Sequence, residues 1–483
     1  MNQKPQDNSP TPPSRSLGAR LARHLLLLAG VLAVMLLALH GCTSIYQEQR
    51  MRAALARAEE HWGPLSVPVE ETPPVDDATN AAILLRAAAA EHNLDTATLP
   101  AQNRLKQGRS EMATDRGDLQ AIVDSNAASL ASLQAALERP DMDWRATPPP
   151  GSHQQAGTAP LTRLLPLAST NWTSGMLAAI DGDAAGAVAA VQRQLLLARA
   201  MESQVHLLAQ VLRIRVASQA LDLIQATLLN TALDEAQLNI LSAGLRDMPG
   251  SEALDQAVIA AFKERSLIYL QALAGEEWEA GDDGEDSDDS FDLRATAVER
   301  AGRTLRGENP MTPEDVGYLG GTAMRWLLKP LLRRRMSAYL ESSDAMLMSL
   351  TIPPYQRQAE AAAAVPGYLQ DEDWLTRILP DLRVDEQVMA MRDLFDARLA
   401  LARTALALCR ARMAQGRYPA ALADLAPAFL DAPPLDPLTG SSPAYRLDGA
   451  GFVLASERVE FEAEATRNAP WGPTGLLSWS IPN

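Results

Sequence analysis

The residues able to do chemistry are few and scattered. All six histidines (His24, His40, His61, His92, His153 and His206) precede residue 207, and no two stand four apart. A zinc helix of the HExxH kind needs two imidazoles one turn apart, and a cysteine–histidine site needs closely spaced thiolates, so neither is encoded. The two cysteines, Cys42 and Cys409, lie near opposite ends of the chain, which makes an internal disulfide unexpected. There is no GxSxG elbow and no SxxK, so the common serine-hydrolase signals are missing. None of the four lysines, Lys4, Lys106, Lys263 and Lys329, follows a glycine-rich phosphate loop, which removes Walker-type nucleotide binding. Gly317-Tyr318-Leu319-Gly320-Gly321 has no strand before it and reads as a helix break.

Paired carboxylates are the one chemistry left open, because glycosidase pairs can lie far apart in sequence. Glu59-Glu60 and Asp371-Glu372-Asp373 qualify only as any exposed acid does, and Trp374 beside the second cluster reads as a core anchor. From Glu276 to Asp292, ten of seventeen residues are acidic and none is basic. A calcium loop would need a glycine at its sixth position and a glutamate at its twelfth, and neither is in register here. The run reads as a solvated, disordered loop, since like charges repel and resist burial. No residue is assigned to catalysis, to a cofactor or to a metal.

The elements around these residues follow from composition. Hydrophobic residues make up 47% of the 483, enough for a sizeable core, and aromatics only 5%. Alanine and leucine dominate, which favours packed helices over sheets. Lys+Arg at 43 against Asp+Glu at 60 gives a net charge of −17, which argues against nucleic acid as a partner. The scarcity of lysine beside so much arginine and alanine fits a GC-rich bacterial genome.

Residues 1–23 form a polar tail, expected to be cytoplasmic and disordered, with Arg15, Arg20 and Arg23 near its end. Fifteen apolar residues follow, Leu25 to Leu39, then His40-Gly41-Cys42. A bilayer core asks for about 20 residues of helix. The run reaches that length as part of a span over 24–45. Two readings fit: an uncleaved single-pass anchor, or a lipoprotein signal in which Cys42 is lipidated. The long polar lead and His40, a poor match to the lipobox, favour the anchor. Both place the body beyond the cytoplasmic membrane, and basic residues before the span put the amino terminus inside. The expected location is the bacterial inner membrane, with the body in the periplasm.

Residues 46–394 read as a helical body. Asp76, Asp77 and Thr79 are candidate caps for a helix opening at Asn80-Ala81-Ala82, Leu119 to Leu137 forms one further stretch, and Pro140 to Ala159 is a loop. Leu161 to Leu233 is the strongest helical territory, with apolar residues at three- and four-residue steps. Asp234 to Leu245, Glu252 to Leu273 and Glu314 to Leu350 continue the pattern. The last carries Arg325, Lys329 and Arg333-Arg334-Arg335, charges that rule against a second span. They read as a solvated face, with anionic lipid as the alternative if that face lies near the membrane.

In the carboxyl-terminal part, 395–483, a long helix from about Val384 to Ala414 carries a stripe of Phe395, Leu399, Ala402, Leu406, Cys409 and Met413. Cys409 on it reads as a small core residue. After Gly416 come Tyr418-Pro419, a short helix spaced by Leu422 and Leu425, the turn Asp436-Pro437-Leu438-Thr439-Gly440, and a hairpin around Asp448-Gly449-Ala450-Gly451. This stretch resembles the ending of type II secretion major pseudopilins. The likeness rests on Gly416, Tyr418, Pro419, Leu422, Leu425, Asp436, Pro437, Gly440, Tyr445 and Phe452. It implies a small α+β local fold with Tyr418, Pro419, Asp436, Pro437 and Gly440 as structural residues. No processed amino-terminal helix with an early glutamate precedes Leu25, so pilus assembly is not carried over. The whole chain also resembles a class of bacterial proteins with one anchor, a helical body and this ending, supported by Pro73-Pro74 to Asn80-Ala81-Ala82, Gly182-Asp183 and Glu264-Arg265. That class implies no established activity.

The sequence therefore reads as mainly α, an irregular helical array behind one N-terminal membrane anchor with a small α+β pseudopilin-like C-terminal segment. The expected function is a non-enzymatic envelope scaffold or partner-binding module, with an unknown envelope protein as partner. The alternatives are a periplasmic hydrolase using dispersed carboxylates, or an accessory subunit of a secretion system.

Overall fold

The computed structural model describes residues 17–65, 75–93, 98–106, 110–144, 159–202, 207–274, 321–357, 383–456 and 478–481. The acidic run 276–292, the cluster Asp371-Glu372-Asp373 with Trp374, and residues 317–320 lie outside them. The chain is mainly helical. It divides into two units that are not contiguous in sequence. One takes Met1–Pro64, Tyr269–Glu276 and Asn309–Glu341, and the other takes Leu65–Ile268, Glu277–Glu308 and Ser342–Asn483.

The first unit is built on α1, Leu17–Trp62. Its stretch from His24 is the one described helix apolar and long enough to cross a membrane, with a mean hydropathy of 2.5 in its most apolar window and none of that window buried. The helix runs on past the expected end of the span near residue 45 to Trp62. No proline interrupts the sequence between Leu25 and Trp62, so the backbone continues unbroken, with the Thr43 hydroxyl donating to the Leu39 carbonyl at 2.5 Å. Beyond the apolar run, charged side chains join α1 to the helix Gly321–Leu350, named α11 here, within this unit. Arg333 reaches Glu48 at 2.7 Å and the Ser44 hydroxyl at 2.7 Å, while Arg50 reaches Glu341 at 2.7 Å.

The second unit opens with α2 (Ala81–Glu91), α3 (Leu99–Lys106), α4 (Met112–Ser125) and α5 (Ala127–Ala136). Asn80, not its acidic neighbours, caps α2. Its Oδ1 accepts from the Ala82 and Asp143 N–H groups, both at 3.0 Å, while its Nδ2 donates to the Asp143 carbonyl at 2.9 Å. The side chain thereby ties the start of α2 to the chain after α5 and is fully buried. The single stretch expected over Leu119 to Leu137 is two helices. Asn126 breaks it, because its side chain donates to the Ile122 carbonyl at 2.9 Å and the Asn93 carbonyl at 3.1 Å, competing with the helix ladder.

Helices α6 (Ala159–Ile180), α7 (Ala184–Arg199) and α8 (Leu207–Asn230) pack on one another as the centre of this unit. Asp183 caps α7, accepting from the Gly186 N–H at 3.0 Å. A buried amide ladder crosses all three: Asn171 donates to Gln194 at 2.8 Å, and Gln194 donates to Gln219 at 2.8 Å. In an interior of small alanines and similar leucines, such a ladder penalises any slip in register, since a displaced amide would lose its partner.

Helix α9 (Glu235–Arg246) begins with a full capping box between Asp234 and Gln237, and α10 runs Glu252–Ala274. The long helix α12 spans Arg383–Gln415, close to its expected bounds, and packs against α8, α9 and the carboxyl-terminal sheet. Its stripe is buried from Phe395 to Leu406, while Met413 is exposed. The expected short helix is a single 3-10 turn, Leu422–Leu425, with both leucines buried. Strands β1 (Ala444–Asp448) and β2 (Gly451–Ala455) form the hairpin, and a third strand, β3 (Ser478–Ile481), which the sequence did not suggest, pairs antiparallel to β2. Phe452, Leu454, Trp479 and Ile481 make its buried face.

Leu425 is completely buried at the join of turn and helix. Leu425→Ala is expected to lower stability by about 2–5 kcal/mol through lost apolar contact and an unfilled cavity. A denaturant melt measures it, and a loss of only a few tenths would show that the turn does not anchor the sheet to α12.

Candidate functional site

Four of the five carboxyl-terminal residues singled out in the sequence have resolved contacts that converge, and all of those contacts are internal. Gly416, at φ +73°, ends α12 with its N–H on the Arg412 carbonyl at 2.7 Å, a left-handed position that suits glycine. The chain then turns so that the Tyr418 ring stands edge-on to Phe452, centroids 5.0 Å apart, beneath the Arg412 guanidinium. Arg412 also donates to the Tyr418 hydroxyl at 3.2 Å. Tyr445 donates its hydroxyl to the Pro419 carbonyl at 2.8 Å, and burial pushes that phenol up to about 12. Asp436 is buried: Oδ1 accepts from the Leu438 N–H at 2.9 Å and Oδ2 from the Ser456 hydroxyl at 2.6 Å. Pro437 is half-buried behind it. At Gly440, φ is +70° and a Cβ would lie 2.8 Å from the Tyr355 ring, so the turn requires glycine twice over.

The cysteines part company. Cys42 is exposed on α1 just past the apolar run, where lipidation would need it. Cys409 keeps part of its surface, but its thiol is desolvated on α12 and burial pushes it up to about 12, far from a reactive thiolate. Glu59 and Glu60 are exposed on α1.

The densest set of titratable groups was not visible in the sequence. It surrounds the turn between α9 and α10. Arg403 of α12 donates to the Leu245 carbonyl at 2.9 Å and the Met248 carbonyl at 2.8 Å, and Arg213 of α8 donates to the Gly250 carbonyl at 2.7 Å. Leu245 is in the last turn of α9, and Met248 and Gly250 belong to the turn that follows it. Next to them Arg392 grips Asp255 with two bonds, 2.6 and 2.8 Å, and Arg357 donates to Asp393 at 2.6 Å. Asp396 accepts from the Ser251 hydroxyl at 2.6 Å. Burial pushes Asp396 up to about 6, against the bond from Ser251 and the Arg392 charge, with Glu252 and Asp255 adding to the rise. Burial also raises Asp255, with Arg392 opposing it. Two carboxyls held above their usual range could serve acid–base chemistry. Here, however, Asp255 faces a guanidinium fork and Asp396 a serine hydroxyl. The neighbouring cleft, lined by Leu195, Arg199, Glu202, Arg213, Met248 and Pro249, has a volume of about 10 Å³. That is below the roughly 300–1,000 Å³ of small-molecule sites.

A second polar contact joins α3 to α6. Lys106 donates to the Ser169 hydroxyl at 3.0 Å, and burial, with the Arg215 charge, lowers the ammonium to about 8. A lysine base beside a serine hydroxyl has the atoms of a nucleophile pair. Ser169 lies within α6, where backbone N–H groups are committed to the helix, and the nearby Gln102 amide is spent on Thr173 at 2.9 Å. Oxyanion donors are therefore not aimed at it. Among the described residues no three His, Cys, Asp or Glu side chains gather as a metal would require. No protein-family model, no curated protein and no solved structure matches the chain.

Two measurements follow from these environments. A carboxyl raised from 3.8 in the unfolded chain to about 6 binds its proton more tightly when folded, so its contribution to stability is present at low pH and is lost as pH rises through that interval. Asp396→Asn keeps a partner for Ser251 and removes the loss. Its melt is expected to match the parent near pH 4 and to exceed it by up to ~3 kcal/mol at pH 7. A constant offset between the two would refute the assignment. Asp436→Ala is expected to cost about 1–3 kcal/mol more than Asp436→Asn, because alanine strands the Leu438 N–H and the Ser456 hydroxyl while asparagine can pair both.

Proposed function

We propose that this is a single-pass protein of the bacterial inner membrane whose periplasmic helical body works by binding an envelope partner, not by catalysis. The observation that carries the membrane part is the surface of α1. From Leu25 to Leu39 its large apolar side chains stand 56–74% exposed, a continuous sleeve that water would not tolerate and a bilayer would cover. The tail Arg15, Arg20 and Arg23 favours an inside amino terminus. Support for a binding role comes from the body. Its buried arginines and aspartates hold helix ends and helix pairs together, which is what a stiff platform needs. A reading as an accessory secretion subunit draws on the gathering of Tyr418, Pro419, Asp436, Gly440 and Phe452 into one module behind a long helix.

A reporter active only in the periplasm is expected to work when fused after Asn483. Activity of a cytoplasm-only reporter there would overturn the topology. Fatty-acid labelling of the parent but not of Cys42→Ser would replace the anchor by a lipoprotein. For the binding role, the detergent-solubilised full chain is expected to co-purify with an envelope protein at fixed stoichiometry, and repeated recovery of the chain alone would count against it.

A further inference from the structure

Charged contacts fix the register of α1 and α11 within their unit. Arg333 bonds Ser44 and Glu48, and Glu341 bonds Arg50 at 2.7 Å and Arg57 at 3.4 Å. Both helices advance together through these pairs, so they run parallel, residue for residue. That register brings Lys329 level with Cys42, Leu332 with Ile45 and Arg334 with Gln47. At 1.5 Å of rise per residue, this stretch lies within about 5 Å of residue 45, where the span over 24–45 ends. The polar zone on each side of a bilayer's hydrocarbon is about 5–8 Å deep. Ile45 and Tyr46 are 61% and 60% exposed at this level, and Leu332 is 46% exposed on α11. Tyrosine at that depth is a common interfacial anchor.

The charge at this level is one-sided. Residues 40–52 and 327–341 carry Arg50, Arg52, Lys329, Arg333, Arg334 and Arg335 against two carboxylates, Glu48 and Glu341, the latter held by Arg50 and Arg57. Glu48 is already held by Arg333 and Arg52. Arg334 is exposed and Lys329 half-exposed beside Pro330, the proline within α11. We infer that this part of α11, standing beside α1, is level with the membrane surface and binds the phosphate groups of anionic phospholipid through Lys329 and Arg334, with Leu332 entering the interface between them. The helix is thereby a second, peripheral foothold beside the span. The inference rests on the reading of α1 as a membrane anchor.

The test uses the full chain in a Cys42→Ser background, leaving Cys409 in place because burial keeps its thiol unreactive at neutral pH. A fluorophore is attached at Leu332→Cys or, separately, at Val31→Cys. Each protein is placed in nanodiscs in which phosphatidylglycerol replaces phosphatidylcholine stepwise, and quenching by water-soluble acrylamide is measured. The label at 332, level with the headgroups, is expected to become protected as phosphatidylglycerol rises, while the label at 31 is protected throughout. Lys329→Gln and Arg334→Gln are each expected to raise the phosphatidylglycerol needed for half protection about fivefold, the factor for about 1 kcal/mol per basic residue at an anionic surface. High salt should act in the same direction. Protection at 31 with free quenching at 332 in every lipid would overturn the inference and leave the anchor intact. Free quenching at 31 would overturn the anchor itself and the inference with it. Protection at 332 that is indifferent to lipid charge and to both variants would show apolar contact alone and would refute the phosphate site.

Discussion

Helix ends turned into a protein interior leave carbonyl groups that water cannot reach, and the second unit depends on how that constraint is met. The end of α9 and the turn after it are satisfied by Arg403 from α12 and Arg213 from α8, not by a glycine cap. Each guanidinium spans two carbonyls because its donors lie in one rigid plane, which a lysine ammonium could not imitate. The arginines hold the turn after α9 against α8 and α12. The fork of Arg392 on Asp255 then holds α10 to α12. A chain in which all but four of the 43 basic residues are arginine is well supplied for such work.

The network is costly as well as organising. Charges taken from water recover the cost only when every lone pair finds a donor. Asp396 shows where recovery is incomplete: it sits beside Glu252 and Asp255 with a serine hydroxyl as its hydrogen-bond donor, and its proton is held accordingly. The carboxyl-terminal module meets the same constraint more fully. Asp436, Tyr418 and Tyr445 each spend their polar atoms on a named neighbour. Both regions put charged and aromatic groups to the service of geometry.

Much of the architecture could be read locally. The apolar run of α1, the start of α9 at Asp234, the bounds of α12 and the hairpin at Asp448-Gly449 are each governed by residues within a turn or two of one another. Errors came where a side chain from elsewhere competed. Asn126 ends α4 by bonding the backbone of Asn93 as well as its own helix, and Asn80 displaces Asp76 and Thr79 as the cap of α2 by also reaching Asp143. Strand β3 has only four residues, Ser478–Ile481, too short for a period to show, and it is defined by its pairing with β2. Residues of the acidic run and of the Asp371 cluster lie outside the described parts of the chain.

The candidate site divides in the same way. By itself the sequence determined the helical class, the apolar amino-terminal run, the helix starts with their own caps, and the residue types at the Gly416 to Phe452 ending, because propensity, periodicity and turn chemistry act over a few residues. Only the tertiary structure decided which charges meet. Arg392 and Asp255 are 137 residues apart, Arg398 and Asp222 are 176, and Arg333 and Ser44 are 289. No local pattern distinguishes these arginines from those on a solvated face. What sets them apart is the low-dielectric interior that folding builds around them, where a guanidinium must find an oxygen and a carboxylate must find a donor.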